Sequence, residues 1–121
     1  MPSDIPEQRL ADIVADCERI ARYTRGRTFD DFLADEMARD AVERCLLRIS
    51  EAACKLGTYL DALYPETPWR QVRGIGNILR HQYDVVDPGS LWASIEEQLP
   101  DVCESARREK ARLEGRGEGP A

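Results

Sequence analysis

Apolar residues recur at helical spacing along most of this chain. Leu10, Ile13, Val14, Cys17, Ile20, Ala21 and Thr24 follow the i, i+3, i+4, i+7 rule, which marks a helix with one buried face. They predict a first helix from about Pro6 to Arg25, stopped by Gly26. A second stripe runs from Phe32 and Met37 through Ala41, Val42, Cys45, Ile49, Ala52 and Leu56 to Tyr59 and Leu63. No Pro or Gly interrupts it before Gly57. It predicts one helix opened by Thr28, with Asp31 completing a weak capping box. Such a helix would be roughly 50 Å long at about 1.5 Å per residue, breaking or curving near Gly57.

The connection Tyr64-Pro65-Glu66-Thr67-Pro68 predicts a third helix with Thr67 as N-cap and Pro68 at its first position. It ends near Tyr83 or Asp84. Asp87-Pro88 opens the last helix, whose apolar face is Leu91, Ile95, Leu99, Val102 and Ala106. Pro100 should kink it. Neither an internal repeat nor a strand pattern is visible. Four amphipathic segments with short connections predict an all-α, antiparallel four-helix bundle with a kinked C-terminal helix. The domain spans 1–113, and the Gly- and charge-rich stretch 114–121 is expected to be a flexible tail.

Composition narrows the chemistry. A chain of 121 residues is one domain, and it buries roughly two thirds of its unfolded surface. Cys17, Cys45, Cys54 and Cys103 form no C-x-x-C pair, and the single histidine cannot supply a His-rich metal site. Cys17, Cys45 and Cys103 sit among apolar residues at helical spacing and are expected to be buried thiols rather than disulfides. No metal or cofactor is expected. No apolar run is long enough to span a membrane, and no signal-type segment opens the sequence, so the expected location is cytoplasmic. The net charge of -6 argues against broad, non-specific nucleic-acid binding. Residues 65–83 depart from that balance, with one acid, Glu66, and three arginines, Arg70, Arg73 and Arg80.

The same segment holds His81. On a helix, Asn77, His81 and Asp84 share a face, with Arg73 one turn before Asn77 and Arg80 at its edge. An imidazole among guanidiniums suits acid/base work beside a phosphate. The bland alternative is a surface histidine within a solvated charge run. Asp84 either orients His81 or begins the turn. Gly74 and Gly76 are poor helix formers, so something packs closely there: a neighbouring helix, a ligand or a second copy of the chain.

Several landmarks together give the chain a family likeness. They are Pro68-Trp69-Arg70, the run Asn77-Ile78-Leu79-Arg80-His81-Gln82-Tyr83, Val86-Asp87, Trp92 and Leu99-Pro100. In this order and spacing the chain resembles the HepT-like branch of the HEPN superfamily. The resemblance implies a metal-independent endoribonuclease, the toxin of a type VII-like toxin–antitoxin module, acting on RNA with tRNA among its candidate substrates. It implies that His81 handles a proton at the 2′-hydroxyl or the leaving oxygen, with Asn77 beside it. Arg70, Arg73 and Arg80 would contact RNA. It implies a minimal nucleotidyltransferase antitoxin that adds adenylate to Tyr83. The notch at Gly74 and Gly76 itself predicts a homodimer with its interface beside the third helix, gathering Arg70, Arg73 and Arg80 of two chains into one basic groove. One departure stands out. The family's R-x4-H arginine falls at position 76, which is Gly76 here. Arg73 and Arg80 are the candidate replacements. The second functional reading is therefore a catalytically impaired helical dimer that binds the nucleotidyltransferase without cleaving RNA.

Overall fold

The computed structural model of the chain describes residues 5–81 and 87–117. Its α-helices are α1 (Pro6–Thr24), α2 (Phe29–Ala34), α3 (Glu36–Leu56), α4 (Tyr59–Leu63), α5 (Trp69–His81), α6 (Pro88–Ala93) and α7 (Leu99–Gly117), with a π-helical turn, Ser94–Gln98, between the last two. No strand occurs among the described residues. The all-α expectation holds.

The first helix matches its pattern. Leu10, Ile13, Cys17 and Ile20 are buried, and Gly26 turns the chain with φ +73°. The predicted long second helix is instead broken at Asp35. Thr28 does open α2 with a full capping box: the Asp31 N–H donates to Thr28 Oγ1 and the Thr28 N–H to Asp31 Oδ2. Asp35 then starts a new helix. Its Oδ1 accepts the Ala38 N–H at 3.0 Å and its Oδ2 accepts Arg27 Nη1 at 2.7 Å. An aspartate that caps and pairs at once outweighs the uninterrupted apolar run. The break also turns Phe32 into the core and against Trp92, with ring centroids 5.2 Å apart. Because α3 begins in its own phase, Ala38 and Leu46 are buried while Met37 is 76% exposed. Leu63, also predicted in the stripe, is exposed. The second break falls at Gly57 as the sequence predicts, with φ +77°.

Thr67 is not the N-cap of α5. Its hydroxyl donates to the Asp101 carbonyl at 3.3 Å and shares a hydrogen with Ser105 Oγ, tying the connection to α7. The helix begins after Pro68, at Trp69, whose ring is 1% exposed. Asp87 does cap the last segment, accepting the Ser90 N–H at 3.1 Å, with Pro88 in the first turn. Where a kink is predicted at Pro100, the structure has the π turn Ser94–Gln98 just before the proline. Proline has no N–H for the carbonyl one turn back, and a wider turn accommodates the loss. The helix then runs past the predicted tail boundary at Leu113 to Gly117, helped by the Lys110–Glu114 pair at 2.6 Å.

Cross-contacts give the arrangement. Asp16 meets Arg48 while Arg9 and Lys55 line the same groove, so α1 and α3 run antiparallel. Cys54 and Ser50 meet α5 at Arg73, near its middle, and Glu51 meets it at Arg80, near its end. Thr67 reaches Ser105, and Gln71 accepts from Gln98 at 2.9 Å, so α5 and the last helix are antiparallel too. Cys17 on α1 and Cys103 on α7 are joined as a disulfide, with Cα atoms 6.1 Å apart. This corrects the expectation of separate buried thiols. Helical spacing places each cysteine on a face but says nothing of which faces meet. Cys45 is a buried free thiol as expected.

Two buried carboxylates complete the core. Asp16, 2% exposed, accepts both Arg48 and Arg19. Glu109, with no exposed surface, accepts Arg112 Nε at 2.8 Å and the Tyr64 hydroxyl at 3.1 Å. Burying a carboxylate is tolerated only with such partners.

Candidate functional site

Helix α5 divides cleanly. Trp69, Val72 and Gly76 form its buried side. Opposite them Arg70, Asn77, Ile78 and His81 are exposed. Arg70, Gly74, Asn77 and His81 are spaced i, i+4, i+7, i+11 and form one outward stripe. The predicted Asn77–His81 pairing on one face is therefore present. Gln82, Tyr83, Asp84, Val85 and Val86 lie outside the described residues, so the roles assigned to Tyr83 and Asp84 have no structural counterpart.

Arg73 and Arg80, two turns apart, occupy the flank of α5 that faces α3 and α4. Their situations differ. Arg73 Nη1 and Nη2 reach Asp61 Oδ1 and Oδ2 at 2.8 and 2.9 Å, and Nη1 also donates to the Gly57 carbonyl at 3.3 Å. This two-pronged geometry is the strong form of an arginine–carboxylate pair. The Asp61 carboxyl is held below its usual range by that guanidinium. Arg73 is only 19% exposed; it fastens α5 to α4 and the Gly57 turn. Arg80 is 47% exposed and reaches Glu51 Oε1 only at 3.5 Å.

The two glycines of α5 also differ. A Cβ at Gly74 would meet no described atom within 4 Å. A Cβ at Gly76 would lie 2.9 Å from Ser50 Oγ and 3.3 Å from Arg80 Nη1. Ser50 accepts the Gly76 N–H and donates to the Arg73 carbonyl, both at 2.9 Å. Of the readings open for the glycines, a neighbouring helix accounts for Gly76, and that helix is α3. Ser50, Glu51 and Asp61 went unnoticed in the sequence. Ser50 is the one with a signal, a small polar residue inside the apolar stripe of α3.

The site is thus an exposed imidazole and amide at the end of a helix, with one weakly engaged guanidinium beside them. Such a set can exchange a proton and bind an anion.

Comparison with known proteins identifies ribonuclease relatives. The family model described as Ribonuclease HepT-like matches residues 13–108. A Thermococcus cleftensis protein named "Probable ribonuclease HepT" is 37% identical over 93 residues, covering 77% of this chain and 84% of that protein. The candidate RNase MJ1380 of Methanocaldococcus jannaschii is 30% identical over 93 residues, covering 77% and 85%. A second candidate RNase of that organism, MJ1216, is 27% identical over 118 residues and covers 98% of both chains. No solved structure matches the chain.

Proposed function

We propose that this chain, which belongs to the HepT-like ribonuclease family, is a metal-independent endoribonuclease and the toxin half of a cytoplasmic, type VII-like toxin–antitoxin module. The observation that carries the reading is the exposed Asn77–His81 pair on the outer stripe of α5, in a stretch, 65–83, that holds three arginines and one acid. His81 takes the proton of an RNA 2′-hydroxyl. The freed oxygen bonds to phosphorus, the bond from phosphorus to the 5′ oxygen breaks, and that oxygen is protonated. The products are a 2′,3′-cyclic phosphate and a free 5′-hydroxyl. In a homodimer, His81 of a second copy donates the last proton. Positioned general acids and bases contribute about 10²–10⁴-fold each.

Regulation in this reading falls to a minimal nucleotidyltransferase that transfers adenylate to Tyr83, two residues past His81. Each AMP adds bulk and a phosphate where RNA phosphates must approach, which repels the substrate. The modified chain gains the mass of AMP, and Tyr83→Phe keeps nuclease activity while escaping neutralisation.

Expression of the chain alone, scored by growth and RNA integrity against His81→Ala, tests the nuclease. Loss of cleavage in a folded His81→Ala protein is expected, and EDTA should leave cleavage intact. Full activity of His81→Ala, or EDTA inhibition reversed by added metal, would refute it. The glycine at position 76, where the family motif has arginine, favours the second reading: a helical partner of the nucleotidyltransferase without nuclease activity. A wild-type chain that leaves RNA intact yet is adenylylated would select that one.

A further inference from the structure

We propose that Arg80, lying in the notch opened by Gly76, is the guanidinium that holds the RNA phosphate beside His81. This rests on the nuclease reading for its substrate and on geometry for its residue. A phosphate that gains charge as it is cleaved calls for a fixed donor near the proton-transfer group. Helix α5 offers three arginines. Arg70 lies three turns before His81. Arg73 is engaged by both Asp61 oxygens, and a phosphate would have to displace that carboxylate. Arg80 immediately precedes His81 in the chain and, among the described residues, makes a long contact, 3.5 Å, to a carboxylate that is itself 52% exposed.

Gly76 determines where the Arg80 head can sit. Helical side chains lean toward the N-terminus and cover the turn before their own Cα. The surface that Arg80 covers is therefore that of residue 76. With no side chain there, Nη1 settles 3.3 Å from the point where a Cβ would begin, close to Ser50. Any larger residue at 76 would contest this space from both sides, with Ser50 Oγ at 2.9 Å. The helix thereby lays a half-exposed guanidinium along the flank that faces α3, about 100° around the helix from its chain neighbour His81. Glu51 is the resident anion of the notch, held weakly enough for a phosphate to replace it.

The assignment makes Arg80 a substrate-binding residue and Glu51 its competitor, so two variants should move in opposite directions. The probe is a 2′-O-methyl oligoribonucleotide, which binds but lacks the attacking hydroxyl. Arg80→Ala should weaken its binding about tenfold or more, while Glu51→Gln should tighten it. Arg107→Ala removes an exposed arginine from α7 and serves as the charge-matched control with binding unchanged. On cleavable RNA, Arg80→Ala should lose about 10²–10³-fold in kcat, the loss expected for one stabilising donor. Added ethylguanidinium should restore part of it, which a merely structural role would not allow. Equal binding by wild type and Arg80→Ala overturns the proposal even where His81→Ala abolishes cleavage. Weaker binding by Arg80→Ala in a chain that cleaves nothing supports the phosphate site and sinks the nuclease reading instead.

Discussion

Ser50 on α3 clasps α5 by two backbone groups, accepting the Gly76 N–H and donating to the Arg73 carbonyl, each at 2.9 Å. The hydroxyl therefore sits where any side chain at position 76 would have to go. Helix packing, the site flank and the placement of Arg80 all pass through this one contact.

Gly76→Ala should destabilise the fold by about 1–3 kcal/mol, because the added methyl is overpacked against Ser50. This outweighs the gain of about 1 kcal/mol that alanine brings to a helix interior. Gly74→Ala meets no such neighbour and should stabilise the protomer by about that amount. Urea denaturation of both variants compares them in one helix. Adding Ser50→Gly to Gly76→Ala should recover part of the loss, since residues in contact are not additive. Equal effects at positions 74 and 76 would refute the close-packing account.

Stability should fall at both ends of the pH scale. The Glu109 carboxyl is held below its usual 4.5, first by its hydrogen bond from Arg112 and then by Tyr64, against the opposing effect of burial. A depressed carboxyl contributes stability above its unfolded value, and that contribution is lost as pH falls through the lower folded value. Tyr59 is pushed up to about 12, mainly by burial and then by the nearby Glu109 charge. Its contribution is present below the usual 10.0 and is lost as pH rises through about 12. Urea midpoints measured across pH should show both limbs. Glu109→Gln should flatten the acid limb and Tyr59→Phe the alkaline one. Unchanged limbs in these variants would rule out the assignment.

The sequence is legible where a stripe of one residue class decides the outcome. Leu10, Ile13 and Ile20 identify α1, and the Asn77–His81 spacing identifies the exposed face of α5. It is less legible where a single polar atom decides. Asp35 interrupts an unbroken apolar stripe because its two carboxylate oxygens cap α3 and hold Arg27. Thr67 resembles an N-cap, yet its hydroxyl is taken by α7, thirty-four residues further along the chain at Asp101. In the sequence Arg73 lies nearer the face of His81 and Arg80 at its edge, and both stand as candidates for the missing arginine. The meeting of α5 with α4 and α3 decides between them, giving Arg73 a two-pronged carboxylate and Arg80 an open notch.

The cysteines should fall into three classes of reactivity. Cys54 is exposed and should react with a thiol reagent in the native state. Cys45 is buried, and burial pushes its thiol up, so it should react only on unfolding. Cys17 and Cys103 should react only after reduction. Their bridge spans a sequence separation of 86, and closing so long a loop restricts the unfolded chain. Reduction should lower stability by about 2–5 kcal/mol. Four thiols reacting in denaturant without reductant would exclude the bridge.

The outer stripe of α5 should be the interface of a homodimer. Gly74 leaves open surface among the described residues, and Ile78 beside it is 47% exposed. A close-approach glycine and an exposed isoleucine on one helix face suit a second copy of the same helix. Pairing there brings two His81 imidazoles and two Arg80 guanidiniums toward one cleft, so that one imidazole takes a proton while the other gives one. Ile78→Arg places charge at the centre of that contact and should yield a monomer by light scattering, with helicity and thermal unfolding of the protomer retained. Cleavage should fall with dimer content rather than with folded protein, because the second imidazole is lost. Adding back dimer-competent His81→Ala subunits at low concentration should not restore it. A wild-type chain that is monomeric at micromolar concentration, or an Ile78→Arg monomer as active as wild type, would sink this arrangement and leave each protomer to supply both proton transfers alone.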